Sequence, residues 1–227
     1  MTLHTDSQYE EELRGLRQRI LEMGGLVEKQ IAAAIQSLVH RDTALAEATM
    51  AKDRDVNRLD VEIDDLCLRL LALRQPAARD LRFITTALKI TTDLERMGDR
   101  AVSISERGLE LAREPALKPY IDLPRMAEIA SRMLHQSLDA FVREDVDLAL
   151  TVCRSDDEVD KLNGQIFREL LSFMIEDPQT ITRAMRLLFV SKYLERIADH
   201  ATNIAEMVVF LVKGKSIRHL EEPPRSV

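Results

Sequence analysis

The stretch Asp93-Leu94-Glu95-Arg96-Met97-Gly98-Asp99 returns one hundred residues later as Tyr193-Leu194-Glu195-Arg196-Ile197-Ala198-Asp199, and this return governs the reading of the whole chain. In an α-helix, residues four apart project from one side about one turn from each other, so Glu95 shares a face with Asp99, and Glu195 with Asp199. Glu106 and Glu206 lie eleven positions beyond the motif glutamates, about three turns on and about 20° off their azimuth, which extends each face into an acidic stripe. Two such stripes repel each other and every anion, so something positive is expected to hold them.

The repeat extends outward from the motif. Val39, Asp42, Leu45, Ala46, Asp53, Val56, Leu59 and Ile63 match Val142, Asp145, Leu148, Ala149, Asp156, Val159, Leu162 and Ile166 at an offset of 103. Leu88, Ala101 and Ile104 match Leu188, Ala201 and Ile204 at an offset of 100. The change of three falls around Gln75-Pro76 and Asp177-Pro178, turns where a change in length costs little. The spacing predicts six helices. The first runs over about 6–40 with Leu13, Leu16, Ile20, Met23, Val27, Ile31, Ile35 and Leu38 on one stripe, weakened locally at Gly24-Gly25. The second, capped by Asp42 or Thr43, reaches about Leu73, and the third spans about Ala77–Arg113. Beyond the connector with Pro115, Pro119 and Pro124, helices over about 123–143, 145–175 and 179–213 follow, with a frayed tail from Ser216. The expected fold is therefore all-α: two tandem three-helix bundles related by pseudo-twofold symmetry, one in residues 1–117 and the other in 118–227 with a short C-terminal tail.

Composition supports helices and removes several functions. Seven Gly, seven Pro, no Trp and 4% aromatic residues argue against sandwich or barrel cores and against stacking platforms for bases. A net charge of −7 without a Lys/Arg-rich block argues against nucleic acid. Cys67 and Cys153 stand singly in apolar runs and read as buried thiols of a reducing cytoplasm. Met1 to Glu12 lacks the apolar run of a signal peptide, and the apolar stretch Met207 to Val212 is too short to span a bilayer. No Ser/His/Asp or Cys/His grouping and no Gly-rich phosphate loop occurs, so no enzyme is expected.

Oxygen donors one turn apart recur on the second and fifth helices as Asp53 with Asn57 and Asp156 with Asp160. If neighbouring helices are antiparallel, the pair on one faces the pair on the next, gathering three or four carboxylates or amides in each half. Oxygen-only donors select hard cations such as Mg²⁺, Mn²⁺, Ca²⁺ or Fe³⁺, whereas structural zinc wants thiolate and imidazole. The plainer reading of any one pair is a solvated acidic face answered by Arg96, Arg100, Arg196, Arg79 or Arg82. His200 is five residues from Glu195 and does not complete the Glu-x-x-His unit of di-iron bundles, so it reads as a capping or surface residue; His4, His40, His135 and His219 read as solvent-facing.

The phrase Thr92-Asp93-Leu94-Glu95-Arg96-Met97-Gly98-Asp99-Arg100-Ala101, its echo from Leu194 to Glu206, and Gln75-Pro76-Ala77-Ala78-Arg79-Asp80-Leu81-Arg82 closely resemble the signature of the PhoU family of phosphate transport system regulators. The resemblance covers roughly residues 8 to 215. It implies metal ions, iron or other divalent ions, on the acidic motifs: Glu95 and Asp99 with Asp53 and Asn57 in one half, Glu195 and Asp199 with Asp156 and Asp160 in the other. Asn57 is neutral where Asp160 is charged, so the first site is expected to bind fewer or weaker cations. The resemblance further implies a cytoplasmic negative regulator of the phosphate-starvation response that links the ATPase subunit of a phosphate ABC transporter to a membrane sensor histidine kinase. Such a regulator would sit at the inner face of the membrane through its partners, and a homodimer is expected. Two other readings stand beside it: a metal (iron) storage or redox bundle, and a plain helical adaptor whose carboxylates are satisfied by arginine.

Overall fold

Every segment between the breakers Arg41-Asp42, Gln75-Pro76, the 112–121 connector, Glu144-Asp145 and Asp177-Pro178 carries apolar residues at steps of three and four and is helical, the second segment as two helices in succession. The computed structural model describes the backbone of residues 3–217 and the side chains of 7–217. In order, the helices are α1 (Leu3–His40), α2 (Thr43–Ala51), α3 (Asp53–Arg74), α4 (Ala78–Leu111), α5 (Asp122–Arg143), α6 (Val146–Glu176) and α7 (Ile181–Lys213). One 3₁₀ turn, Pro178–Thr180, leads into α7, and no strand occurs among the described residues. His4, His219 and most of the tail expected to fray lie outside the described side chains.

The duplication reaches down to the backbone. Arg41 and Glu144, 103 apart, both adopt the left-handed conformation at φ 57° and 54°. The next residue folds back in both: the Asp42 N–H donates to Ser37 O (2.9 Å) and the Asp145 N–H to Ala140 O (3.0 Å). The same two aspartates then cap the following helices, accepting from Leu45 N at 2.9 Å and Leu148 N at 3.0 Å.

Two local expectations need correction. The second helix is not continuous: the Lys52 N–H is shared between the carbonyls of Ala48 and Thr49, at 3.3 and 3.2 Å, and this tightened turn separates α2 from α3. Gly24-Gly25 leaves α1 unbroken. A Cβ on Gly24 would fall 2.3 Å from Leu138 Cδ1, so the missing side chain makes room for Leu138 of α5.

Contacts between the halves join helices to their own counterparts, α4 with α7 and α1 with α5, as a twofold requires. The crossing of α4 and α7 makes this explicit. Asp93 meets His200 (2.8 Å), while the duplicated positions Tyr193 and Arg100 meet as ring and guanidinium at 5.9 Å. A single apolar core threads all of it, with Leu16, Ile31, Leu94, Met97, Leu194 and Ile197 fully covered. Phe83 and Phe141, one from each half, stack at 5.8 Å, and the Arg17 guanidinium lies over both rings. The connector is held down: Arg41 donates to Ala112 O (2.9 Å) and Glu114 O, Arg183 to Pro115 O (3.1 Å), and Arg186 pairs with Glu110 (2.9 Å) and Glu114.

Because the two caps are equivalent, Asp42→Ala and Asp145→Ala are each expected to lower unfolding free energy by about 0.5–2 kcal/mol, read from urea denaturation. A cap that costs nothing would show that the connection, and not the side chain, sets that helix start.

Candidate functional site

Helices α4 and α7 turn their apolar side inward and their Glu/Asp side toward the neighbouring helix of the same half. Burial along Thr91–Arg100 and Ser191–His200 follows one pattern: Leu94, Met97 and Gly98 match Leu194, Ile197 and Ala198 as buried positions, while the carboxylates at 95, 99, 195 and 199 are half-covered. The packed side therefore fixes the helix azimuth, and the azimuth aims the carboxylates at α3 in the first half and at α6 in the second.

In the first half, Asp53 accepts from Asn57 Nδ2 (2.9 Å) and from Nε2 of buried Gln30 (3.4 Å). Gly98 keeps the approach open, since a Cβ there would stand 3.3 Å from Gln30 Oε1 and 3.4 Å from Asp53 Oδ1. Burial, and then the charge of Asp99, raise the Glu95 carboxyl above its usual range; Asp60 and Asp53 add to this, and Arg96 opposes it. Arg96 is the cation at this cluster, 3.5 Å from Glu95 and 3.9 Å from Asp99.

The second half is more crowded. Burial raises Asp156 to about 6, followed by the charges of Asp199, Asp160, Asp157 and Glu195. Asp160 is raised by burial and then by Glu195, with Lys192 opposing; Asp199 is raised by burial and then by Glu195, with Arg196 and Lys192 opposing. Lys192 pairs with Glu195 Oε2, an oxygen otherwise without a hydrogen-bond partner, and Arg196 reaches Asp199 at 3.5 Å. Five carboxylates thus share two cations whose side chains are 50% and 58% exposed, so the cluster is under-neutralised and open to solvent.

The structure thus brings Asp53, Asn57, Glu95 and Asp99 together in one half, and Asp156, Asp160, Glu195 and Asp199 in the other. Donor chemistry fits a hard cation, being oxygen throughout. Among the described residues, no three carboxylates, thiols or imidazoles already surround one point at ligand spacing, so an arriving ion would have to draw them inward.

Sequence reasoning missed Asp60, Gln30 and Asn163. Asp60 was findable, since it lies two turns after Asp53 on the same face and acts on Glu95. Gln30 hides inside the apolar stripe of α1, and Asn163 takes the Ser191 hydroxyl.

Other expectations are corrected. His200 is neither a cap nor a surface residue: it joins α7 to α4 through Asp93, which also accepts from Asn203 (3.2 Å). Arg79 and Arg82 do not serve the motifs, since Arg79 pairs with Glu144 and Arg82 donates to Leu211 O (3.3 Å). His135 is exposed as expected, but pairs with Glu28 of α1 at 3.1 Å. Cys67 is buried and Cys153 half-buried; both are free, and burial pushes each thiol up to about 12.

Together these features define a class: an internally duplicated all-α bundle with an under-neutralised carboxylate cluster in each half. The chain belongs to the PhoU family, whose domain model matches residues 20–108 and 123–208. It is 41% identical over 221 residues to the phosphate-specific transport system accessory protein PhoU homolog of Pseudomonas aeruginosa, covering 97% of this chain and 91% of that one. The crystal structure of PhoU from Pseudomonas aeruginosa superposes with a TM-score of 0.88 at 40% identity, covering 91% of this chain and all of the other. That of the phosphate transport system regulatory protein PhoU from Streptococcus pneumoniae gives 0.85 at 30%, with 92% and 99% covered. Among the described residues, no helix is long and apolar enough to cross a membrane.

The raised carboxyls fix a pH dependence. A carboxyl held above its unfolded value stabilises the fold fully below about pH 4, and the contribution is lost as pH rises through the folded value, near 6 for Asp156. In chelator, Asp156→Asn should raise Tm by a few degrees at pH 7.5 and change it little at pH 4, measured by scanning calorimetry. A fall in Tm at pH 7.5 would contradict the repulsion described.

Proposed function

We propose that this chain is an accessory protein of a phosphate-uptake system, built as two repeats over residues 1–117 and 118–227, that carries hard cations on its two carboxylate clusters and acts as an adaptor without catalysing a reaction. The observation that carries the cation reading is the crowding of Asp156, Asp160, Glu195 and Asp199, with Lys192 and Arg196 as the cations paired with them among the described residues. In the second half those four would hold the ion; in the first, Asp53, Asn57, Glu95 and Asp99 would, with Asp60 as a further donor. Mg²⁺, Mn²⁺ or iron supplies the missing positive charge when bound. The protein's own residues hold their oxygens half-exposed along α3–α4 and α6–α7, where a neutralised surface can meet another protein.

The regulatory reading draws on family membership and on the names of the relatives. In it, the protein sits in the cytoplasm and docks on the ATPase subunit of the phosphate transporter and on a sensor histidine kinase. Docking biases the kinase toward its signalling-off state when phosphate is plentiful. A homodimer belongs to the same proposal.

Two measurements test this reading. Elemental analysis of purified protein should find Mn, Fe or Mg after dialysis, and Glu195→Ala/Asp199→Ala should lose the second-half share while Glu95→Ala/Asp99→Ala loses the smaller first-half share. Deleting the gene should make a phosphate-regulated alkaline phosphatase constitutive in phosphate-rich medium, with repression restored by wild type and not by the fourfold Ala variant. Full repression by a metal-free fourfold variant would separate regulation from the clusters.

A further inference from the structure

The two halves differ in one respect that their duplication does not predict. On the α6–α7 hairpin, Phe167, Leu171 and Ile175 rise at steps of four, and Ile181, Met185 and Phe189 do the same on the antiparallel partner. All six are exposed, from 39% for Met185 to 75% for Ile175. At the equivalent positions the first half carries Asp64, Leu68, Ala72, Leu81, Thr85 and Lys89, of which only Leu68 and Leu81 are bulky and apolar. Two rows of three large apolar side chains on one hairpin exceed the scattered exposure of an ordinary surface; the first-half hairpin also exposes Val61, Leu68, Leu73 and Leu81, but not as a row of three at steps of four on either helix.

The ends of the strip are charged. Toward the body, the face that carries Phe167 and Leu171 continues to Asp160, with exposed Asp157 beside it, while the α7 row continues at the same step to Tyr193, whose ring stacks on Phe189 at 6.4 Å. At the hairpin tip stand exposed Glu176 and Asp177. Lys192 and Arg196 lie within the first group but are engaged by Glu195 and Asp199. From Phe167 to Ile175 the strip is about 12 Å long, the length of a little over two helical turns.

We infer that this strip is a groove for an amphipathic helix of a partner protein, with apolar anchors at i, i+4 and i+8 and Lys or Arg at both ends. Helix-in-groove binding uses this anchor spacing, and the carboxylates at both ends choose the flanks. A second copy of this chain fits poorly. Whether the strips pair parallel or antiparallel, carboxylates face carboxylates at both ends. Anionic lipid headgroups meet the same repulsion. The inference rests on the reading of the chain as an adaptor; a cation bound at the cluster would neutralise Asp160, leaving exposed Asp157 at one end and Glu176 and Asp177 at the other to choose the flanks.

The test uses two synthetic helical peptides with Leu at i, i+4 and i+8, one flanked by Lys and one by Glu, titrated against the full chain by fluorescence anisotropy. Binding of the Lys-flanked peptide is expected, weakening as salt rises. Phe167→Ser/Phe189→Ser should weaken it at least tenfold, and Leu68→Ser/Leu81→Ser should leave it unchanged. Because these side chains are exposed, circular dichroism should show both variants folded; Ile175→Ser supplies a third, milder variant expected to weaken binding in the same direction. The inference is overturned if neither peptide binds, if the Glu-flanked peptide binds as well, or if the two double variants behave alike. Sedimentation showing a dimer dissociated by Phe167→Ser/Phe189→Ser would assign the strip to a second copy, and binding of phosphatidylglycerol vesicles lost in that variant would assign it to lipid; either result also overturns the inference. The peptide assay reads docking alone and the phosphatase reporter reads regulation alone, so each can fail without the other.

Discussion

The antiparallel crossing of α4 and α7 is the constraint from which the rest follows. Among the described residues it is one of the most extensive helix–helix contacts, and it fixes which side of each helix is buried. With Leu94, Met97 and Ala101 on one helix and Leu194, Ile197 and Ala201 on the other committed to the core, Glu95, Asp99, Glu195 and Asp199 have one remaining side to occupy. The polar contacts at the crossing, Asp93 with His200 and Asn203, and Arg100 with Tyr193, hold the two helices in register. Hydrophobic burial thus decides where the charges stand.

Placed there, the carboxylates cannot relieve one another. They face one another across the α3–α4 or α6–α7 groove, and for Glu95, Asp156, Asp160 and Asp199 desolvation and then repulsion favour the protonated form. Lys192, Arg96 and Arg196 answer only part of the charge, being held at the rim and well exposed. A fold selected only for stability would replace one acid of each cluster. Keeping four or five together leaves an electrostatic tension that the long, solvated side chains beside them answer only in part.

Much of this was legible in the residues. The offsets of 100 and 103 carried the duplication, composition the all-helical class, and the four-residue spacing the pairs Glu95 with Asp99 and Glu195 with Asp199, because helical periodicity converts spacing directly into a shared face; that Asp53 with Asn57 and Asp156 with Asp160 join them came with the family resemblance. What escaped reading depends on tertiary approach. His200 looked like a surface residue because its partner, Asp93, comes from the other half across the crossing. Gly24 looked like a weak point, but Leu138 fills the space it leaves. Gln30 sits where apolar spacing demands a core residue, and only the nearness of Asp53 explains an amide there. The break at Lys52 has no Pro or Gly to announce it. The arginines were the least predictable, since Arg79 and Arg82 have long side chains and reach Glu144 and Leu211 O away from the motifs.

The difference between the halves bears on how a duplicated protein divides its labour. Asn57 lowers the charge of the first cluster relative to the second, and the apolar strip follows the second alone, so the α6–α7 hairpin carries both the denser charge and the barer surface. The central claim is that this crowding makes a cation seat, and anomalous scattering tests it most directly. Crystals grown with Mn²⁺, measured at the manganese edge, should give a peak in the α6–α7 groove among Asp156, Asp160, Glu195 and Asp199, and a weaker or absent one among Asp53, Asn57, Glu95 and Asp99. A map with no peak in either groove, and the carboxylates instead capped by guanidinium groups, would contradict the account.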